Sequence, residues 1–497
     1  MNDCQSPLSP VPDTATELPV RAGGRALHAL ETIQTVLTAL MLAFVFRAYL
    51  VEAFIIPTGS MAESLLGAHA TMICPACGWE YDFAPTHDCF CPNCHLRLPL
   101  AAENVPLKDG DRILVHKWPY VLGGPFGPQR WDVIVFRNPS DPRENYVKRA
   151  VGLPGESVQI LDGDVYINGR IARKTPAAQR ALWFVVYDQA HIPVPTAATA
   201  GWPRWIVEPT PNSEASGWEG LSARVLRFNA PDDRERAMRF EPDDDRYFQD
   251  VCGYNRGPSP WPAPRVGDMR LLAEVAFQDG EGTCRWELTR DDQRFMLTLC
   301  RDGTLTLDMA PADGAQAATR IGQARHERFR AGRPYAVEFA HVDYRVYVKL
   351  NGQTVLATSD EQYNPDVAAL RAFERRTPVG LRLAAHSVDL ELRRLRIDRD
   401  VHYTYRPGRT VRADASGPFV LGHDEYFVLG DNSPDSHDSR EWQQQAYHLP
   451  AGHWQAGTVP ASQIVGRVAF VYLPGLQPLD AAGNWRLPDL GRVRFVR

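Results

Sequence analysis

Two short segments of this chain could do chemistry together. Pro57-Thr58-Gly59-Ser60-Met61 presents a serine hydroxyl shortly after an apolar stretch, and Tyr146-Val147-Lys148-Arg149-Ala150 presents a lysine among apolar neighbours. A serine hydroxyl is a weak nucleophile until a base takes its proton. A lysine amine serves as that base only when burial lowers its pKa. Val147, Ala150, Val151 and Leu153 supply the apolar surroundings such a lysine needs. A third segment, Gly430 to Arg440, follows the strand-like run Tyr426-Phe427-Val428-Leu429 and brings together Asp431, Asn432, Ser436, Asp438 and Arg440.

Taken in order, these segments resemble type I signal peptidases, the membrane-anchored Ser/Lys proteases that remove secretory leaders. The resemblance rests on Ile56 to Met61, Gly110 to Val115, Tyr146 to Arg149 with Gly152 to Glu156, and Gly430 to Arg440. It implies that Ser60 attacks the scissile carbonyl and that Lys148 is its general base. It implies that Thr58 and the Ser60 backbone N–H face the oxyanion, where prearranged donors are needed. Ser436 then orients the lysine amine, and Asp438 with Arg440 forms a supporting ion pair. His437 lies in the same segment, but Lys148 occupies the position matching the family's base. No cofactor is expected for catalysis.

Cys74-Pro75-Ala76-Cys77 and Cys91-Pro92-Asn93-Cys94 form a separate constellation. Each CxxC turn points two thiolates at one centre, and two such turns complete a tetrahedral zinc site. A structural zinc on Cys74, Cys77, Cys91 and Cys94 is the expectation, with His87 and Cys89 as additional candidate ligands and disulfides as the competing outcome. Four thiolates leave no open coordination position for catalysis. The type I family needs no metal, so this ribbon is a departure from its pattern.

The elements that must position these groups read as strands. Asp111 to His116, Trp131 to Phe136 and Tyr146 to Val151 are runs of buried or alternating character. Ser157 to Ile160 and Val165 to Ile167 flank Asp162-Gly163 as a hairpin. Tyr426 to Leu429 and Ile464 to Leu473 complete an antiparallel β core. The expected fold class is mainly β, with an N-terminal transmembrane helix, a small zinc ribbon and an inserted sandwich.

The expected domains are a disordered cytoplasmic N-terminus over 1–28, an anchor over 29–50, and a catalytic core over 51–72, 104–180 and 405–497. The ribbon covers 73–103 and the insertion 181–404. Within that insertion, short runs from Met269 to Ile397, with the Asn351-Gly352 turn, suggest a β-sandwich over about 266–400. They resemble concanavalin-like or laminin-G-like jelly rolls, which implies a carbohydrate or protein ligand or a mere spacer. Residues 190–265 show few periodic elements. Cys284 and Cys300 are placed to bridge adjacent strands, although Cys252 leaves the pairing open.

The bulk properties agree with a folded, multi-domain protein. The chain has 497 residues, 44% hydrophobic and 23% charged, with a net charge of -6 that gives no reason to expect nucleic-acid binding. Arg21 and Arg25 precede the apolar run, which favours an N-terminus inside and a body outside. The expected setting is a bacterial inner membrane crossed once, with preprotein signal peptides and lipid as partners. A leader cut after Ala53 is the competing reading of the apolar run. Two other functions compete: a self-cleaving repressor protease, and a membrane-tethered scaffold with an inert core.

Overall fold

The computed structural model describes residues 23–84, 88–98, 106–139, 141–196, 204–210, 215–230, 232–240, 248–250, 252–254, 265–372, 379–405, 409–443, 454–478 and 486–496. Most of the N-terminal stretch expected to be disordered, and His87, fall outside them.

An α-helix covers Gly23–Val45 and continues as one π-helical turn over Phe46–Leu50. Its His28–Leu50 stretch is long and apolar enough to cross a membrane. The charge-free run is short, but Glu31 and Arg47 lie near its two ends, where long side chains reach an interface.

The remainder is built of antiparallel sheets. The sheet carrying the candidate site runs in the order Arg112–His116, Ile464–Leu473, Val133–Arg137, Asn145–Gly152, Glu425–Leu429, Val459–Pro460. Strands from both ends of the sequence are therefore interleaved, and the insertion must leave and return without breaking this order. Val133, Val135, Ile113, Val115, Val468 and Val471 pack on one face with Met61 and Leu65. On the other face Ile134, Phe136, Ala150, Val428 and Trp442 pack together. Both faces are thus buried, which explains why these strands read as continuous apolar runs.

A smaller sheet orders Arg170–Ile171, Asp164–Ile167, Ser157–Leu161 and Phe419–Val420. Its hairpin turns at Asp162-Gly163, with both residues at positive φ (52° and 80°) as a type I′ turn requires.

The insertion forms one large sheet system around two long strands, Met269–Arg290 and Gly380–Arg399. The runs Met269 to Phe277 and Thr283 to Thr289, legible as two strands, are one continuous strand with a bend. Its register against Gly380–Arg399 shifts between Phe277 and Asp279 and again between Gly280 and Thr283. Before the bend it pairs with Pro334–Val342, after it with Gln293–Cys300. A strand that changes partners through bulges turns the corner between layers of a sandwich. Trp286, Phe295, Leu297, Phe339 and Val348 fill the space between those layers.

Two expectations about this region change. Residues 190–265 do contain strands: Trp205–Val207, Trp218–Glu219, Val225–Ala230 and Arg236–Phe240. Val225–Ala230 and Arg236–Phe240 pair with Gly380–Arg399, more than 140 residues away, so no local turn announces them. Cys284 and Cys300 are both free thiols. Cys284 pairs with Leu299 while Cys300 pairs with Thr283, so the two sulfurs point to opposite faces of the sheet.

Candidate active site

Ser60 sits in a single 3-10 turn, Gly59–Met61, closed by the Ala62 N–H on the Gly59 carbonyl at 3.0 Å. Ile56, just before it, is tied to Asp111 by an N–H to carbonyl bond of 2.9 Å, and Met61 is buried in the core. The turn is thus fixed at both ends while Ser60 itself stays half-buried.

Lys148 lies on the strand Asn145–Gly152, opposite Ile134. Its Nζ is hydrogen-bonded to Ser60 Oγ across 88 residues of sequence. Only 4% of Lys148 is exposed. Burial pushes its amine down to about 8; Asp438 and Asp431 work against that shift and Arg440 works with it.

The Gly430 to Arg440 segment packs beneath the pair. Asn432 holds the nucleophile turn twice, through its N–H on the Ser60 carbonyl (3.1 Å) and its Nδ2 on the Gly59 carbonyl (3.0 Å). Gly430 has no room for a side chain: a Cβ there would lie 2.2 Å from Ser436 Oγ and 2.5 Å from the Ser60 carbonyl oxygen. Ser436 donates its hydroxyl to Asp438 Oδ2 at 2.7 Å. Asp438 also accepts the Gly430 N–H at 3.0 Å and pairs with Arg440 through Nε and Nη2, at 2.9 and 2.8 Å. Burial alone would raise the Asp438 carboxyl, but Arg440 and these hydrogen bonds hold it below the ordinary range. The structure therefore brings together Ser60, Lys148, Ser436, Asp438 and Arg440.

Thr58 is extended and exposed (φ -125°, ψ 162°) and makes no capping bond. It lines a cleft of about 240 Å³ together with Ile56, Ser60, Tyr146, Lys148 and His437. His437 is exposed, and its ring meets Trp442 edge-on at 6.4 Å. His69 is buried with Nδ1 on the Gly67 carbonyl, and His116 is exposed at a strand end.

One buried ion pair beside the site escaped the sequence reading. Arg149, next to Lys148, forks onto Asp431 through Nε (2.8 Å) and Nη2 (2.6 Å), with both side chains fully buried. An arginine beside the lysine was visible, but no spacing rule connects it to an aspartate 282 residues later.

The cysteine turns face one another. Ala70–Ile73 with Glu80–Phe83, and Cys89–Phe90 with Arg97–Leu98, form two short hairpins carrying the CxxC turns. Gly78 and His95 take positive φ (72° and 60°) and return their N–H groups to the Cys74 and Cys91 carbonyls. The four Sγ atoms lie within 4.8 Å of one another, with Cys74 to Cys94 and Cys77 to Cys91 each at 3.6 Å. Tetrahedral zinc at about 2.3 Å from each sulfur needs S···S separations of roughly 3.8 Å, so the set fits. Cys89 is buried outside this set.

Comparison with known proteins bears on the core. Residues 99–189 and 348–473 match the model of the signal peptidase, peptidase S26 family. The signal peptidase I of Rickettsia typhi is 30% identical over 134 residues, 27% of this chain and 41% of that protein. That of Pseudomonas fluorescens is 42% identical over 94 residues, 17% of this chain and 33% of that protein. The chain resembles type I signal peptidases. It spans well under half the length of these relatives in the matched region, and the family match takes in Lys148 and Gly430 to Arg440 but begins after Ser60. Among solved structures, the carbohydrate binding module CBM66 from Bacillus subtilis aligns with 39% of this chain and 95% of its own, at 9% identity and a TM-score of 0.26. A likeness of that size carries no argument about a ligand for the sandwich.

Proposed function

We propose that this signal peptidase-like chain is a membrane-bound serine endopeptidase that removes N-terminal leaders from exported preproteins by a Ser60/Lys148 dyad. The observation that carries it is the hydrogen bond between a buried, low-pKa Lys148 amine and Ser60 Oγ at the floor of a cleft. An inert scaffold has no need for that contact.

The chemistry follows from the geometry. Neutral Lys148 takes the Ser60 proton as Oγ bonds to the scissile carbonyl carbon. The Ser60 N–H and the Thr58 hydroxyl supply donors for the resulting oxyanion. As the tetrahedral species collapses, Lys148 gives its proton to the departing amine, and it then deprotonates the water that frees the acyl-serine. Ser436 donates its hydrogen to Asp438, which leaves its oxygen able only to accept, as an ammonium at Lys148 would require. The leader binds extended along the cleft, as an added strand. The N-terminal helix, ten residues before Ser60, tethers this chemistry to a bacterial inner membrane, with the body on the outer side. Zinc on Cys74, Cys77, Cys91 and Cys94 holds the ribbon folded and takes no part in catalysis. Purified protein is expected to carry one zinc that Cys74→Ser loses.

The deciding experiment is cleavage of a synthetic preprotein by detergent-solubilised protein, with Ser60→Ala and Lys148→Ala alongside. Wild type should cut after the leader's small residue and both variants should be dead. An inactive wild type, or a variant that cuts normally, overturns the assignment.

A further inference from the structure

The insertion reaches the nucleophile. Tyr254, from the stretch that leads into the sandwich, is 4% exposed and belongs to the same apolar cluster as Ala62, Leu66 and Leu429. Its ring closes on Gly59 through the Cε1 corner: a Cβ on that glycine would fall 1.8 Å from Tyr254 Cε1 and 2.6 Å from Cδ1. Its hydroxyl donates to the Ala68 carbonyl at 2.8 Å. The chain returning through Gly67 presses on Thr58, where a Cβ would lie 2.5 Å from the Thr58 carbonyl carbon. Tyr254 therefore bridges the segment just before Ser60 to the segment that backs it.

The tyrosine is itself well held. Asp250 accepts from Thr404 Oγ1 at 3.0 Å and pairs with Arg399 Nη1 at 3.0 Å. Gly253 abuts Tyr81 and the Asp82 carbonyl of the cysteine hairpin. The Gly59–Met61 turn is consequently clamped from two sides, by Asn432 of the core and by Tyr254 of the insertion.

We propose that Tyr254 is a positioning residue for Ser60, so that the inserted region completes the active site. This rests on the Ser60/Lys148 reading. Dyad chemistry needs Oγ aligned with both the amine and the carbonyl carbon, and a displacement of about 1 Å costs on the order of 10²-fold in rate. The ring sets the position of the Gly59 Cα, one residue before the nucleophile.

The test uses the full chain in detergent with a synthetic preprotein, comparing Tyr254→Ala, Gly59→Ala, the double variant and Ser60→Ala. Tyr254→Ala should lower kcat by about 10²-fold with little change in KM. Gly59→Ala forces a methyl into the ring and should lose at least as much. The double variant should be no worse than either single variant, because each disturbs the same contact. A purely structural tyrosine would lower the melting temperature and leave kcat per folded molecule intact. Wild-type kcat in Tyr254→Ala, or multiplying losses, overturns the inference while Ser60→Ala remains dead. An inactive wild type, or an active Ser60→Ala, removes the dyad reading and this inference with it. Where Tyr254→Ala yields too little folded protein, Tyr254→Leu replaces it in the same cycle.

Discussion

Lys148 and Lys174 are both buried, and their surroundings give them opposite characters. Lys174 touches Asp343 and lies 2.6 Å from Asp400. Burial works against its charge, but those carboxylates and Asp164 hold its pKa above the ordinary lysine range. Lys148 also has carboxylates near it, Asp438 and Asp431, yet burial wins and its pKa falls to about 8. The difference lies in who else holds the acids. Asp438 is gripped by Arg440 and Asp431 by Arg149, each through two guanidinium nitrogens. Those arginines neutralise the acids before the lysine can. Burial thus lowers the Lys148 pKa more readily because arginines already hold the two buried carboxylates nearest it.

The largest expected effects come from removing each lysine. Lys148→Met should abolish preprotein cleavage, a loss of about 10³-fold or more, without lowering the melting temperature. The sign follows from linkage. Between the folded pKa of about 8 and the ordinary lysine value of 10.5, the unfolded chain binds more protons. Stability attributable to this lysine thus rises with pH through that window, and below it the buried ammonium is a full cost that methionine removes. Lys174→Met should do the reverse. It strands Asp343 and Asp400 without their cation, a loss of about 3–5 kcal/mol in denaturant unfolding, while folded molecules still cleave. Equal melting losses in the two variants would sink the comparison.

A smaller effect tests the arginine argument. Wild-type kcat/KM should rise with pH around a midpoint near 8, because only neutral Lys148 accepts the Ser60 proton. Arg440→Met leaves Asp438 free to pair with Lys148, and the midpoint should move alkaline by about one pH unit. Arg440→Lys, which keeps the charge but not the fork, should move it less. An unmoved midpoint in Arg440→Met would mean that Asp438 does not act on the lysine.

Much of the candidate site was legible because its parts lie in short segments with characteristic residue types. Ser60, Lys148 and Ser436 to Arg440 each stood in a recognisable run, and the CxxC turns declared themselves by spacing. What stayed hidden is what only folding creates. The Arg149–Asp431 fork joins two buried residues 282 positions apart. Tyr254 comes from a stretch with no periodic signal, and its contact with Gly59 joins residues nearly 200 positions apart. The strands of residues 205–240 are defined by partners on Gly380–Arg399. The core strands were easier, since burial on both faces leaves continuous apolar runs.

The Lys174 cluster was equally invisible, and it yields the finest test of the comparison. Asp164 of the core hairpin, Asp268 and Asp343 of the insertion, and Asp400 bring their carboxylates within 4.8 Å of one another. Lys174 and Arg290 are the cations among them; Arg290 contacts Asp268 and reaches Asp162 at 3.0 Å and Asp164 at 3.2 Å. Two cations do not offset so many buried acids. Burial accordingly pushes Asp164 up to about 7 and Asp400 up to about 6. A carboxyl whose folded pKa is raised binds its proton more tightly folded than unfolded, so stability falls as pH rises from its unfolded value to its folded one. For Asp164 that window runs from 3.8 to about 7. Asp164→Asn mimics the protonated acid and should lose this slope. Its melting temperature relative to wild type should climb by a few degrees between pH 5 and pH 7 and stay level above that. A difference that stays constant across the window would show that Arg290 holds Asp164 ionised, as Arg440 holds Asp438, and that both clusters obey one rule.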